Sequence, residues 1–142
     1  MITFNFIAKE DIYSIIPFLH LLHKNIPEEI LKERLDEMIE FNYKCIGIFD
    51  EKRLIGICGI WILVKYYVGK HIEADNVIIL PEYRNKKIGK DLIKYIEEYA
   101  KDIGCIASEL NCYIQNEEGK RFWEQEGYKA IGYHFQKNFN AD

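Results

Sequence analysis

The chain has 142 residues, 49% hydrophobic and 30% charged, with a net charge of −4 at pH 7. That length suits one domain with a proper core, and the composition is too apolar and too aromatic for a disordered segment. The negative balance excludes a global attraction to nucleic acid or to an anionic membrane, and the longest apolar run, Leu54 to Val64, falls short of the ~20 helical residues that cross a bilayer.

Ile2, Phe4 and Phe6 alternate with polar neighbours and predict a first strand, with no leader before it. Lys9-Glu-Asp starts a helix with Ile12, Ile15, Ile16, Leu19, Leu22 and His23 on one face, and Pro17 as a kink or boundary. A second helix is expected from about Pro27 to Glu40, where Pro27 suits the first turn and Glu28 and Glu29 suit the positive helix end. Tyr43 to Phe49 reads as a strand, and Asp50-Glu-Lys-Arg53 as a hairpin turn. The run from Leu54 to about Tyr67 is apolar on both faces, so it should be a central strand. A further strand, His71 to Leu80, ends at Pro81.

Ile88, Leu92, Ile93, Ile96, Ala100 and Ile103 make one face of a helix stopped by Gly104. Ile106 to Tyr113 alternates as a strand, Asn116 can cap a short helix through Glu126, and Tyr128 to Phe139 is expected to be a last strand. The order β-α-α-β-β-β-α-β-α-β predicts an α/β fold of three layers, αβα. A mixed central sheet of about six to seven strands is expected in a single domain over 1–142. Cys45, Cys58, Cys105 and Cys112 lie in apolar runs without a Cys-x-x-Cys pair. They read as small buried residues of a cytoplasmic protein, with no metal site. His20 and His23 are three apart on a helix, but no third ligand is evident.

The chemistry concentrates after the fourth strand. A β-branched run reaches Pro81, and a basic loop carrying Arg84, Asn85, Lys86 and Lys87 then opens a helix at Ile88, Gly89 and Lys90. Backbone N–H groups at the positive end of a helix, beside cations, suit a phosphate or pyrophosphate. Neither a Gly-x-Gly-x-x-Gly nor a Gly-Lys-Ser/Thr motif is present.

Pro81-Glu-Tyr-Arg-Asn-Lys-Lys-Ile-Gly-Lys-Asp-Leu-Ile resembles the acyl-CoA signature of the GNAT superfamily of N-acetyltransferases. The signature is Arg or Gln, two residues, Gly, one residue, then Gly or Ala. Arg84 and Gly89 match, while Lys87 stands where the first Gly is usual. Asn116-Glu-Glu-Gly-Lys-Arg-Phe-Trp-Glu-Gln-Glu-Gly-Tyr128 resembles a second signature of the same family, with Asn116, Phe122 and Gly127 matching.

The resemblance implies acetyl transfer from acetyl-CoA to a primary amine, directly within a ternary complex. It places the pantetheine arm on the main chain of Val77, Ile78 and Ile79. The pyrophosphate would lie on the loop and helix start from Arg84 to Lys90, and Asn116 would reach the pantetheine. Glu73 is the expected general base, with His71 and Asp75 as runners-up. Glu73 shares strand parity with Asp75, Val77 and Ile79. The family's usual tyrosine acid is replaced by Trp123, at the cofactor site, and indole cannot supply a proton. Tyr113, Tyr128 and Tyr133 are candidate substitutes. A small-molecule or protein amine is the expected partner, with neither nucleic acid nor membrane, and a homodimer is left open. The alternative is a non-catalytic acyl-CoA-binding module of the same fold.

Overall fold

A computed structural model of the chain describes residues 1–84 and 87–140. Its residues group into two compact units, Met1–Leu110 and Asn111–Asp142.

The first unit holds a five-stranded sheet ordered β1-β2-β3-β4-β5. Its strands are β1 (Ile2–Phe6), β2 (Lys44–Asp50), β3 (Arg53–Lys65), β4 (Gly69–Ile79) and β5 (Ala107–Leu110). Pairing is antiparallel from β1 to β4 and parallel between β4 and β5. The parallel pair requires a crossover, supplied by helix α3 (Ile88–Asp102). Strand β3 is central, as its two-sided apolar run requires, with Ile55, Ile57, Cys58 and Ile60 all buried.

The first helical region divides at Pro17. Residues Lys9–Ile15 form a 3-10 helix, and α1 (Ile16–Leu22) follows with Pro17 in its first turn. Proline lacks the N–H that would continue a preceding ladder, and its ring suits a helix start. Helix α2 (Glu28–Glu40) begins after Pro27, with Glu28 and Glu29 in its first turn.

These helices cover one face of the sheet. Ile12, Ile15, Ile16, Leu31 and Leu35 pack with Tyr43, Cys45 and Ile57 in one core cluster. Each large aliphatic side chain buried there contributes roughly 1.5–3 kcal/mol. Helix α3 covers the other face. Tyr95 and Tyr99 meet Phe4 and Phe6 of β1, the closest rings 4.7 Å apart. Its buried stripe is Ile88, Leu92, Ile93, Ile96 and Ala100, and it ends before Gly104, whose φ of 89° suits glycine.

The second unit contains α4 (Glu117–Gln125), capped by Asn116, whose side chain accepts a hydrogen bond from the Gly119 N–H at 2.9 Å. The strand expected over Tyr128 to Phe139 is not formed, and the described sheet has five strands rather than six or seven. Alternation sets which side chains share a face. A strand also needs a neighbour to complete its ladder, and the described residues of 111–140 present none. Cys105 is buried, but Cys112 is only half-buried and lies outside any strand.

The register between β3 and β4 slips at one point. Gly59 faces Asp75, whereas Ile57 faces Ile78. Strand β4 thus has two residues, Asn76 and Val77, against one on β3, and Asn76 adopts a φ of 37°. This is a β-bulge. Gly59 makes room for it, because a Cβ there would lie 2.3 Å from the Tyr43 hydroxyl and 2.5 Å from the Asn76 Oδ1. Gly59→Ala is therefore expected to force apart the Tyr43–Asn76 hydrogen bond and cost about 1–3 kcal/mol, read as a lower urea midpoint. Gly132→Ala, where a Cβ meets nothing within 4 Å, should leave that midpoint unchanged.

Candidate active site

Strand β4 changes character along its length. From His71 to Ala74 it is paired on both sides, to β3 and to β5. The last β5 partner is Leu110, opposite Ala74. From Asp75 to Ile79 only the β3 ladder continues. The β5-facing edge of this segment, including Val77, Ile78 and Ile79, carries no strand partner among the described residues. The Ile79 carbonyl accepts a hydrogen bond from the Arg84 Nε at 3.1 Å, so the arginine folds back onto the strand end.

The bulge overturns one expectation. Continuous alternation would place Val77 and Ile79 on the face of Glu73 and Asp75. With an extra residue at the bulge, Asn76 and Ile78 take that face instead. Asn76 bonds the Tyr43 hydroxyl there, and Ile78 packs on the core cluster of α1 and α2. Asp75 accepts from the Trp61 Nε1 at 3.0 Å, and the Tyr43 and Trp61 rings lie 5.1 Å apart. Burial pushes the Tyr43 phenol well above its usual pKa, so it acts as a fixed hydrogen-bonding group. Burial likewise raises the Cys45 thiol to about 12. Thiolate chemistry at neutral pH is closed to that residue.

Helix α3 begins immediately after the basic loop. Asn85 and Lys86 lie outside the described residues. Lys87 is its N-cap, with φ 63° and ψ 10°, the left-handed conformation that glycine adopts freely. This accounts for the glycine usual at this position of the signature. The first intrahelical bond runs from the Asp91 N–H to the Lys87 carbonyl at 3.1 Å. The N–H groups of Ile88 and Gly89 lie in the first turn of α3, at the positive end of the helix.

Three titratable side chains converge where β4 and β5 pair. Glu73 sits opposite Glu109 in the parallel register. Like charges at directly opposed positions repel. His71, fully buried, lies against both, with its Nε2 3.0 Å from Glu73 Oε2 and 3.5 Å from Glu109 Oε1. Its Nδ1 is 3.1 Å from the Gly69 carbonyl oxygen. Carbonyl oxygens and ionised carboxylates accept, so with both glutamates ionised the two ring nitrogens donate, as in an imidazolium. Burial opposes that charge. The hydrogen bond to Glu73, the Gly69 carbonyl, and the charges of Glu109 and Glu73 outweigh it, holding the His71 pKa above its ordinary value.

Lys65 Nζ stands 3.9 Å from Glu73, and the Tyr67 hydroxyl donates to Glu109 at 3.4 Å. The ligand atoms of His71, Glu73 and Glu109 lie within 4.8 Å of one another, close enough to bracket a cation. When protonated, the His71 ring itself supplies that positive charge. Lys70, at the start of the same strand, donates to the Ile103 carbonyl.

The sequence marked Glu73 and His71 separately and missed Glu109. A carboxylate within the apolar run Ile106 to Tyr113 was the available signal. In the second unit, Asn116 holds its own helix cap. Trp123 makes edge-on contacts with Phe122 and Tyr128, at centroid distances of 4.9 and 5.6 Å.

Two outcomes test this geometry. A folded-state pKa above the ordinary ~6.5 of histidine means that His71 contributes its full stabilisation below that value. The contribution is lost as pH rises through the folded pKa. An NMR titration of the His71 ring should show its midpoint displaced upward, with urea stability declining across that same window. Lys87→Gly should raise stability by about 0.5–1 kcal/mol, because a left-handed L-residue costs roughly 1–2 kcal/mol and glycine's extra unfolded-state entropy returns only part of it. The readout is the thermal midpoint.

The sequence profile of the Acetyltransferase (GNAT) family matches residues 10–128. Among curated proteins, the aminoalkylphosphonate N-acetyltransferase of Salmonella typhimurium is 35% identical over 65 residues, 46% of this chain and 42% of that enzyme. The match thus spans less than half of that relative's length. The uncharacterized N-acetyltransferase YhdJ of Bacillus subtilis is 22% identical over 132 residues, covering 92% of this chain and 93% of that protein. Among solved structures, the ribosomal-protein-alanine N-acetyltransferase of Brucella melitensis biovar Abortus 2308 superposes with a TM-score of 0.82 at 19% identity, covering 99% of this chain and 100% of that one. That likeness extends the shared fold over the whole chain. With a family match across most of its residues, the chain belongs to the GNAT family of acetyltransferases, whose chemistry is acetyl transfer from acetyl-CoA to an amine.

Proposed function

We propose that this chain binds acetyl-CoA along the far half of β4 and the start of α3, and acetylates a primary amine by direct transfer with Glu73 as general base. The observation that carries the reading is the end of β5 pairing at Ala74, which leaves the main chain of Val77 to Ile79 without a strand neighbour. An extended pantetheine arm carries amide groups, and such groups complement an unpaired strand edge. The α3 N-terminus, with Arg84, Lys87 and Lys90 beside it, suits the pyrophosphate. Asn85, Lys86, Ile88 and Gly89 belong to the same proposed cradle, and Asn116 and Trp123 complete the cofactor set taken from the second signature. The family match runs through both units, which supports one acetyltransferase domain over 1–142.

The reaction needs a free amine. A primary amine with pKa near ~10 is mostly protonated at pH 7, so Glu73 removes its proton. The amine nitrogen then attacks the thioester carbonyl, a C–N bond forms, and the C–S bond breaks. Coenzyme A leaves as thiolate, which suits a thiol whose pKa lies near ~8.5, and the thiolate takes up the second N–H proton that the nitrogen sheds as it becomes an amide. No strong acid is then required at Trp123. The aminoalkylphosphonate relative supports a small-molecule acceptor.

Free-thiol release from acetyl-CoA over a panel of amines, with calorimetry of acetyl-CoA binding, tests the reading. Binding followed by turnover supports it. Binding with no turnover on any amine would favour the acyl-CoA-binding module instead, and no binding would remove both. Glu73→Gln should lower the rate at pH 7 by ~10²–10⁴, the usual worth of a positioned base, and by much less at pH 9, where more amine is free. A loss independent of pH would remove Glu73 as the base.

A further inference from the structure

We propose that His71 and Glu109 are positioning residues for Glu73, together holding its carboxylate aimed through the proton transfer. The inference rests on Glu73 being the base. His71 occupies one oxygen of that carboxylate, Oε2, at 3.0 Å. Lys65 approaches the same oxygen at 3.9 Å. Oε1 is therefore the atom left to take the amine's proton.

Glu109 has a different task. Before transfer, Glu73 and Glu109 share one buried imidazolium. Once Glu73 holds the substrate's proton it is neutral. A buried cation facing only neutral partners would be costly. Glu109, 3.5 Å from the same Nε2, keeps a negative charge beside the ring. The imidazolium can then stay charged and in place while Glu73 cycles. In this transfer the ammonium loses one proton and Glu73 gains it, while His71 keeps its proton and Glu109 its negative charge; the second N–H proton goes to the departing thiolate.

The groups facing this ring come from each neighbouring segment. Glu73 lies on β4 and Glu109 on β5. Lys65 at the end of β3 and Tyr67 in the following turn reach the two carboxylates. The Gly69 carbonyl holds the remaining nitrogen. If His71 loses its proton while Nδ1 stays on that carbonyl, Nε2 turns a lone pair toward Glu73. The hydrogen bond becomes a repulsion, and Oε1 loses its aim.

The test compares pH profiles of kcat and KM for wild type, Glu109→Gln, Glu109→Asp and Glu73→Gln, with acetyl-CoA and an accepted amine. Glu109→Gln should lower kcat about tenfold, a fraction of the ~10²–10⁴ a positioned base supplies. Its alkaline limb should move to lower pH while the KM for acetyl-CoA holds. Glu109→Asp should recover part of the rate. If Glu109→Gln follows the wild-type profile while Glu73→Gln is inactive, the positioning role falls and the base assignment survives. If Glu73→Gln retains full activity, both fall. Should Glu109→Gln fail to fold, the NMR titration of wild-type His71 decides: a ring neutral at pH 7 overturns the proposal.

Discussion

The parallel pairing of β4 with β5 lasts only four register positions, from His71↔Ala107 to Ala74↔Leu110, and the proposed chemistry divides at that point. Where the ladder exists, it sets Glu73 beside Glu109 and creates an electrostatic problem. Where it stops, it leaves β4 with main-chain groups unmatched on one side. A fully zipped sheet would have no open edge for an extended ligand. A wholly open one would not bring Glu109 to Glu73.

The electrostatic problem is solved locally. Two carboxylates in register repel, and the buried His71 between them, when protonated, converts repulsion into a bridged cluster. His71 reaches that position because it precedes Glu73 by two residues on the same strand face, and because Gly69 presents a carbonyl to its other nitrogen. Gly69 itself has a φ of 79°, which a residue with a Cβ adopts only with strain. The turn that starts β4 therefore also supplies a hydrogen-bond partner for its histidine.

Two further features place local cost next to the proposed ligand site. The bulge at Asn76 interrupts regular alternation, and the left-handed Lys87 opens α3 in a conformation that favours glycine. Such departures persist where the surrounding structure over-determines them. Gly59, vacant under the Tyr43–Asn76 pair, anchors the first. The buried stripe of α3, beginning at Ile88, holds the second against the sheet.

Much of this was legible in the chain itself. The apolar spacing from Ile88 to Ala100 sufficed for α3, because a helix buries one face at a period of 3.6 residues. The alternation in β1 sufficed for a strand, and the two-sided run of β3 for a central place in the sheet. Asn116 was legible as a cap, and Arg84 with Gly89 as a signature, since both depend on neighbours in sequence. Other features needed the folded chain. The bulge at Asn76 is a relation between two strands, so strict parity misassigned Val77 and Ile79. The expected strand from Tyr128 to Phe139 had the right pattern, but a pattern cannot supply a pairing partner. Glu109 was marked only as a carboxylate in an apolar run, because its meaning comes from standing opposite Glu73 across a parallel ladder. The sequence by itself determined which segments form helices and which run apolar. The tertiary structure decided which charges meet and where the sheet opens, because pairing register and strand ending depend on residues far apart in the chain.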